Sequence, residues 1–164
     1  MTPSHLALVL IGFGSPGLAL ADFSRHADYA ATVSATRHLF EGKSFIRSDG
    51  VHSRYSQWEG SETGGSIQRV MDIPGIADPI KVTETFTVES GVLVMMEDVT
   101  NGQEHPTFTA TLTKRGGILY LPFAGVAPQF VSSECWTERD RTQCKIQRKN
   151  PDGTTAVIEA HEDD

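Results

Sequence analysis

From Lys43 to His161 apolar and polar residues alternate in short runs, and each run stops at residues that turn the chain. A period of two sends one set of side chains to a buried face and the other to solvent, which is the pattern of half-buried β-strands. The runs fall near 43–48, 51–60, 65–73, 80–89, 92–100, 104–114, 117–124, 128–138, 141–149 and 154–161. Asp49-Gly50, Ser90-Gly91, Asn101-Gly102, Gly116-Gly117 and Asp152-Gly153 separate them, since glycine tolerates the positive φ of tight hairpin turns. Pro74 to Pro79 makes a wider loop. Short strands at this spacing, each joined to the next, predict an all-β fold, an up-and-down antiparallel barrel of about eight to ten strands. The one helical stretch is Asp22 to Phe40, where Phe23, Ala27, Ala30, Val33 and Leu39 form a stripe, Asp22 or Ser24 can cap the start, and Gly42 stops it. Such a helix plugs or flanks one barrel end.

The turns allow strand registers to be written. With Ser90-Gly91 as a loop, Val88 faces Leu93, Phe86 faces Met95 and Glu84 faces Glu97. With Asn101-Gly102, Met95 faces Phe108, Leu93 faces Ala110 and Asp98 faces His105. With Arg115-Gly116, Phe108 faces Phe123, Ala110 faces Leu121 and Leu112 faces Leu119. Phe86, Met95, Phe108 and Phe123 then share one apolar face, and the opposite face carries Thr83, Thr85, Thr87, Thr107, Thr109, Thr111 and Tyr120. A slip of one residue would invert every side chain, so agreement among the turns supports the set.

The same registers put charges on the apolar face. If Ile73 pairs with Ile80, Met71 faces Val82 and Arg69 faces Glu84, giving a row Arg69–Glu84–Glu97 across three strands, with Glu104 near the rim. With Ser61–Gly64 as the preceding loop, Trp58 faces Ile67, Ser56 faces Arg69, and Lys43 and Arg54 also point inward. Two opposed carboxylates repel. When buried, one must take a proton or share a cation, and the Arg69 fork can bridge both. Apolar walls with a few convergent polar groups describe a ligand pocket, with Arg69, Arg54, Glu84 and Glu97 at its polar end and Trp58, Phe86, Met95, Phe108 and Phe123 in its walls. The alternatives are a solvated barrel mouth or a structural ion pair. A carboxylate pair also suits glycoside hydrolysis, which needs a set separation and a substrate cleft. No nucleophile, catalytic motif or metal-ligand spacing accompanies it, so no enzyme, metal or cofactor is expected. Asp98 with His105 reads as an exposed ion pair, and His26 and His38 read as surface histidines.

Two further features bear on location. Leu6 to Phe13 is an apolar run of leader length, broken at Gly14-Ser15-Pro16-Gly17 and followed by Ala19-Leu20-Ala21. Small residues at those positions predict cleavage between Ala21 and Asp22, leaving a single barrel domain over 22–164. The run is too short to span a bilayer, so no membrane insertion follows removal of the leader. Cys135 and Cys144 flank a hairpin centred on Arg139-Asp140, in which Glu138 faces Arg141, Trp136 faces Gln143 and Cys135 faces Cys144. Opposed cysteines at that range form a disulfide, expected in an oxidising compartment. Trp136 falls on the outer face of this hairpin, where it either packs against the helix or touches a partner. The 164 residues carry a formal net charge of −7, which disfavours nucleic acid and anionic lipid as partners.

In architecture this meander resembles the calycin group of lipocalin-like and fatty-acid-binding barrels. Those chains open with Gly-x-Trp, whereas Leu39-Phe40-Glu41-Gly42-Lys43-Ser44-Phe45 has no Trp, so the resemblance is one of fold analogy and not of family membership. The reading that follows is a periplasmic or secreted protein that holds a small amphipathic or acidic molecule in a β-barrel. Its rival is a secreted interaction module, an enzyme inhibitor or envelope-assembly component, with a filled barrel and a protein partner at Asp72–Pro79 or Trp136.

Overall fold

The computed structural model describes residues 27–89, 92–99, 105–122 and 130–163. The expected leader and cleavage position, Phe23, His26, the expected Ser90-Gly91 and Asn101-Gly102 turns, Glu104 and Phe123 lie outside the described residues. A helix, α1, covers 27–40. Strands follow as β1 (Ser44–Arg47), β2 (His52–Tyr55), β3 (Glu59–Ser61), β4 (Gly64–Asp72), β5 (Ile80–Glu89), β6 (Val92–Val99), β7 (His105–Leu112), β8 (Ile118–Pro122), β9 (Phe130–Glu138), β10 (Arg141–Lys149) and β11 (Thr155–Glu162). From β4 to β11 each strand pairs antiparallel with the next, β1 joins β11 to β2, and β2 pairs with β4. The sheet therefore closes into a 10-strand barrel, with β3 a short extension paired to the start of β4. Among the described residues, closure leaves no long edge strand to pair with another chain.

Several expected registers are present. Val88 pairs with Leu93, Phe86 with Met95 and Glu84 with Glu97, and Met95 pairs with Phe108. The β9–β10 hairpin has Glu138 opposite Arg141, Trp136 opposite Gln143 and Cys135 bonded to Cys144. Its two turn residues, Arg139 and Asp140, both adopt positive φ, at 51° and 63°, as a two-residue turn matched to strand twist requires.

Four registers differ, each through the length of a loop or a bulge. The β7–β8 turn is closed by Thr113 and Gly117, with Gly116 at φ 77°, so three residues lie in the loop rather than two. Ala110 consequently pairs with Tyr120, Thr109 with Leu121 and Thr111 with Leu119. Tyr120 is buried inside the barrel and Leu121 is exposed on its surface, the reverse of expectation. Between β2 and β3 one extra residue is accommodated: Glu59 pairs with Ser66 as expected, but Tyr55, not Ser56, faces Arg69. A bulge of this kind changes which face the next side chains take. Tyr55 is turned inward and Arg54 outward, where it lies 3.8 Å from Asp72. A second bulge follows Met95, so His105 faces Glu97 rather than Asp98. Pro106 stands at that step and cannot donate to the ladder, which explains where the regular pairing gives way. Finally, β4 and β5 are offset by two residues, with Met71 opposite Ile80, Arg69 opposite Val82 and Ile67 opposite Glu84. A shift of two preserves the faces, so Arg69 still points inward.

The helix closes one end of the barrel. Val33 and Leu39 of the expected stripe are buried, together with Thr32, Thr36 and Phe40, while Ala27 at its start is exposed. The two threonines fit there because their hydroxyls donate to the carbonyls of Asp28 and Thr32 one turn back, at 2.8 and 2.9 Å. The helix end is fastened by the buried Thr142 hydroxyl, which donates to the Leu39 carbonyl at 2.8 Å. Glu41 accepts from the Trp58 amide at 2.9 Å, and Gly42 turns the chain at φ 68°, the left-handed conformation that ends helices. Beneath α1, Ile67, Phe86, Leu93, Ile118 and Trp58 fill the barrel base, with Trp58 and Phe86 rings 5.4 Å apart.

Candidate functional site

Above that base the barrel encloses a cavity of about 480 Å³, within the range of small-molecule sites. Its position follows from strand alternation. Large inward residues fill the base beneath α1, whereas the cavity lining includes the small residues Ser53, Ser133 and Ala160, which leave space. Five aromatic residues line it: Phe40, Phe45, Tyr55, Phe108 and Tyr120. Phe40 lies 5.7 Å from Phe45 and 5.0 Å from Tyr55, and Phe108 lies 6.4 Å from Tyr120 (ring centroids). The Cys135–Cys144 disulfide forms part of the wall. At the open end Arg47 donates from Nε to Asp49 at 3.0 Å.

A charged cluster projects from three adjacent strands into this space. Arg69 of β4 lies 3.2 Å from Glu84 of β5 and 3.4 Å from Glu97 of β6. The Nη2 of Arg69 donates to Glu97, whereas Nε faces Glu84 without hydrogen-bond alignment. The Tyr55 hydroxyl is also hydrogen-bonded to Arg69. Glu84 keeps only 6% of its side-chain surface exposed, against 20% for Arg69 and 22% for Glu97. Burial pushes the Glu84 carboxyl up to about 7; the Arg69 charge opposes this and the Glu97 carboxylate adds to it. Desolvation disfavours the ionised form of any buried acid, and a like charge beside it does the same. Burial likewise raises the Tyr55 and Tyr120 hydroxyls, with Glu84 contributing to both. Arg69 is held protonated by Glu84, Tyr55 and Glu97 against the opposing effect of burial.

The structure thus brings Arg69, Glu84, Glu97, Met95 and Phe108 together around the cavity. Phe86 and Trp58 support the base from below and do not line it. Arg54 is on the outer surface with 62% of its side chain exposed. Lys43 does not enter either; its Nζ pairs with Glu162 at 3.3 Å. Phe123 lies outside the described residues. Counting from turns missed Tyr55 and Tyr120 because each follows an extra residue that reverses the alternation. It missed Phe40 and Phe45 because neither belongs to the hairpins used for counting. Trp136 does lie on the outer face, with the Arg115 guanidinium 4.2 Å over its ring. Among the described residues no three His, Cys, Asp or Glu side chains converge to hold a metal ion, and no helix is long and apolar enough to cross a membrane. The chain matches no protein-family model, no curated protein and no solved structure.

Proposed function

We propose that this protein is an extracytoplasmic binder of a small amphipathic molecule, held inside the barrel. The observation that supports this reading is a cavity of about 480 Å³ whose apolar and aromatic walls converge on the Arg69–Glu84–Glu97 cluster. Burying three charged side chains without adding packing is a poor route to stability, since an ion pair in a low-dielectric site seldom repays its desolvation. The cluster is better accounted for as the polar end of a site that an apolar body enters. The disulfide suits an oxidising compartment, which is the basis for placing the protein in the periplasm or outside the cell. The cavity also weighs against a filled barrel acting only through its surface.

Titration with N-phenyl-naphthylamine, an uncharged dye that fluoresces in apolar sites, tests this. A saturable one-to-one enhancement is expected, lost in Ala160→Trp, because Ala160 lines the cavity and an indole there fills it. Native mass spectrometry of the exported protein gives a second reading, as an added mass that disappears on denaturation. Absence of saturable binding, or equal binding by a folded Ala160→Trp, would show that the cavity is not a binding site.

A further inference from the structure

We infer that the molecule held in this cavity is cationic, an apolar or aromatic amine whose ammonium group sits at the Glu84–Glu97 carboxylates. The inference rests on the binding reading above and sharpens it. Three observations carry it.

The first is charge balance. One guanidinium faces two carboxylates, at 3.2 and 3.4 Å. Arg69 is therefore already engaged, and an acidic ligand would compete for a cation with two anions in place. With both acids ionised the cluster has one negative charge left over, which a single added cation neutralises. The charged and titratable groups around it come from the neighbouring elements: Arg69 from β4, Glu97 from β6, and the neutral hydroxyls of Tyr55 from β2 and Tyr120 from β8. The Arg47–Asp49 pair and Arg148 also line the cavity; the charges named for Glu84 are its neighbours Arg69, which lowers its affinity for the proton, and Glu97, which raises it.

The second is the wall. Phe40, Phe45, Tyr55, Phe108 and Tyr120 line the same cavity as the two carboxylates. Aromatic faces carry negative potential and attract cations, most strongly where water is excluded. The third is the poor alignment of Arg69 toward Glu84. Its buried Nε makes no hydrogen bond, so the Glu84 oxygen is held near the guanidinium without being committed to it, and an ammonium group offers donors in its place.

A proton is the competitor of such a ligand. Glu84 holds its proton up to about pH 7, so in more acidic solution the bound ammonium must displace that proton to the solvent. Affinity for the amine should then fall by up to about tenfold for each pH unit below neutrality.

The test displaces bound N-phenyl-naphthylamine with decylamine, decanol and decanoate, which share an apolar chain and differ in head-group charge. Decylamine should displace the dye at a concentration at least about tenfold lower than the other two at about pH 8. That preference should shrink toward acid pH, and should vanish in Glu84→Gln and Glu97→Gln, whose near-isosteric side chains keep the shape and remove the surplus charge. Decanol or decanoate matching decylamine on the wild-type protein overturns the inference while leaving the binding site intact. So does an amine preference that survives in both variants with native circular dichroism. If the dye itself fails to bind, the binding reading falls, and this inference with it.

Discussion

Glu84→Gln should stabilise the barrel above neutral pH and leave it almost unchanged in acid. Glu84 is 5% exposed, and folding raises its carboxyl from an ordinary 4.5 to about 7 through burial, only partly offset by Arg69. The native state therefore favours the neutral acid. Below the unfolded value of 4.5 the group is protonated in both states, and its contribution to stability is fully present. As pH rises from there the unfolded chain ionises while the native chain keeps its proton, so stability falls, and the loss is complete once pH passes about 7. At about 1.4 kcal/mol for each decade of proton affinity, that interval corresponds to about 3 kcal/mol. Gln mimics the protonated acid in size and polarity but cannot ionise. The variant should match the wild type near pH 4 and exceed it by about 3 kcal/mol near pH 8.5, with other groups such as Asp49 and Glu41 titrating alike in both proteins. Urea unfolding followed by tryptophan fluorescence at about pH 4, 5.5, 7 and 8.5, extrapolated linearly to water, measures the difference. A difference that stays flat across this range, or a variant weaker than wild type at the alkaline end, would refute the argument that burial holds Glu84 neutral.

Two other substitutions probe how the cavity is built. Replacing both Cys135 and Cys144 with Ser should lower stability by about 2–3 kcal/mol, because the bond closes a loop with a sequence separation of 9; a urea midpoint equal to that of the oxidised wild type would show that the hairpin holds itself. Thr142→Val keeps the shape of a fully buried side chain but strips the Leu39 carbonyl of its donor, at a cost of about 1–3 kcal/mol. Hydrogen exchange should show the last turn of α1 loosened, and protection unchanged from wild type would mean that Thr142 does not fasten the helix.

Much of this architecture can be read along the chain. Strand positions follow from alternation and from glycine at the turns, and the β5–β6 and β9–β10 registers follow from two-residue loops. Those two hairpins alone place Glu84 against Glu97 and Cys135 against Cys144. The Arg69 cluster survived an error in register because the β4–β5 offset was two residues, an even number. Tyr120 and Arg54 did not survive, because each error there was one residue. Counting outward from a turn carries parity only as far as the first extra residue, and a single bulge reverses everything beyond it. Pro106 stands at one such place, since a residue without an amide proton interrupts a ladder. Nothing of that kind marks Ser56 to Trp58.

The sequence by itself determined that the chain is an antiparallel meander, which hairpins carry the disulfide and the carboxylate pair, and that Arg69 shares their face. These are local matters, settled within one or two turns by periodicity and turn chemistry. Only the tertiary structure decided that β1 meets β11 and β2 meets β4, that α1 closes one end, and that Phe40, Phe45, Tyr55 and Tyr120 surround the cluster while Arg54 stays outside. Those arrangements depend on closing the sheet on itself, where bulges take up the mismatch between strands and so select which side chains face the cavity.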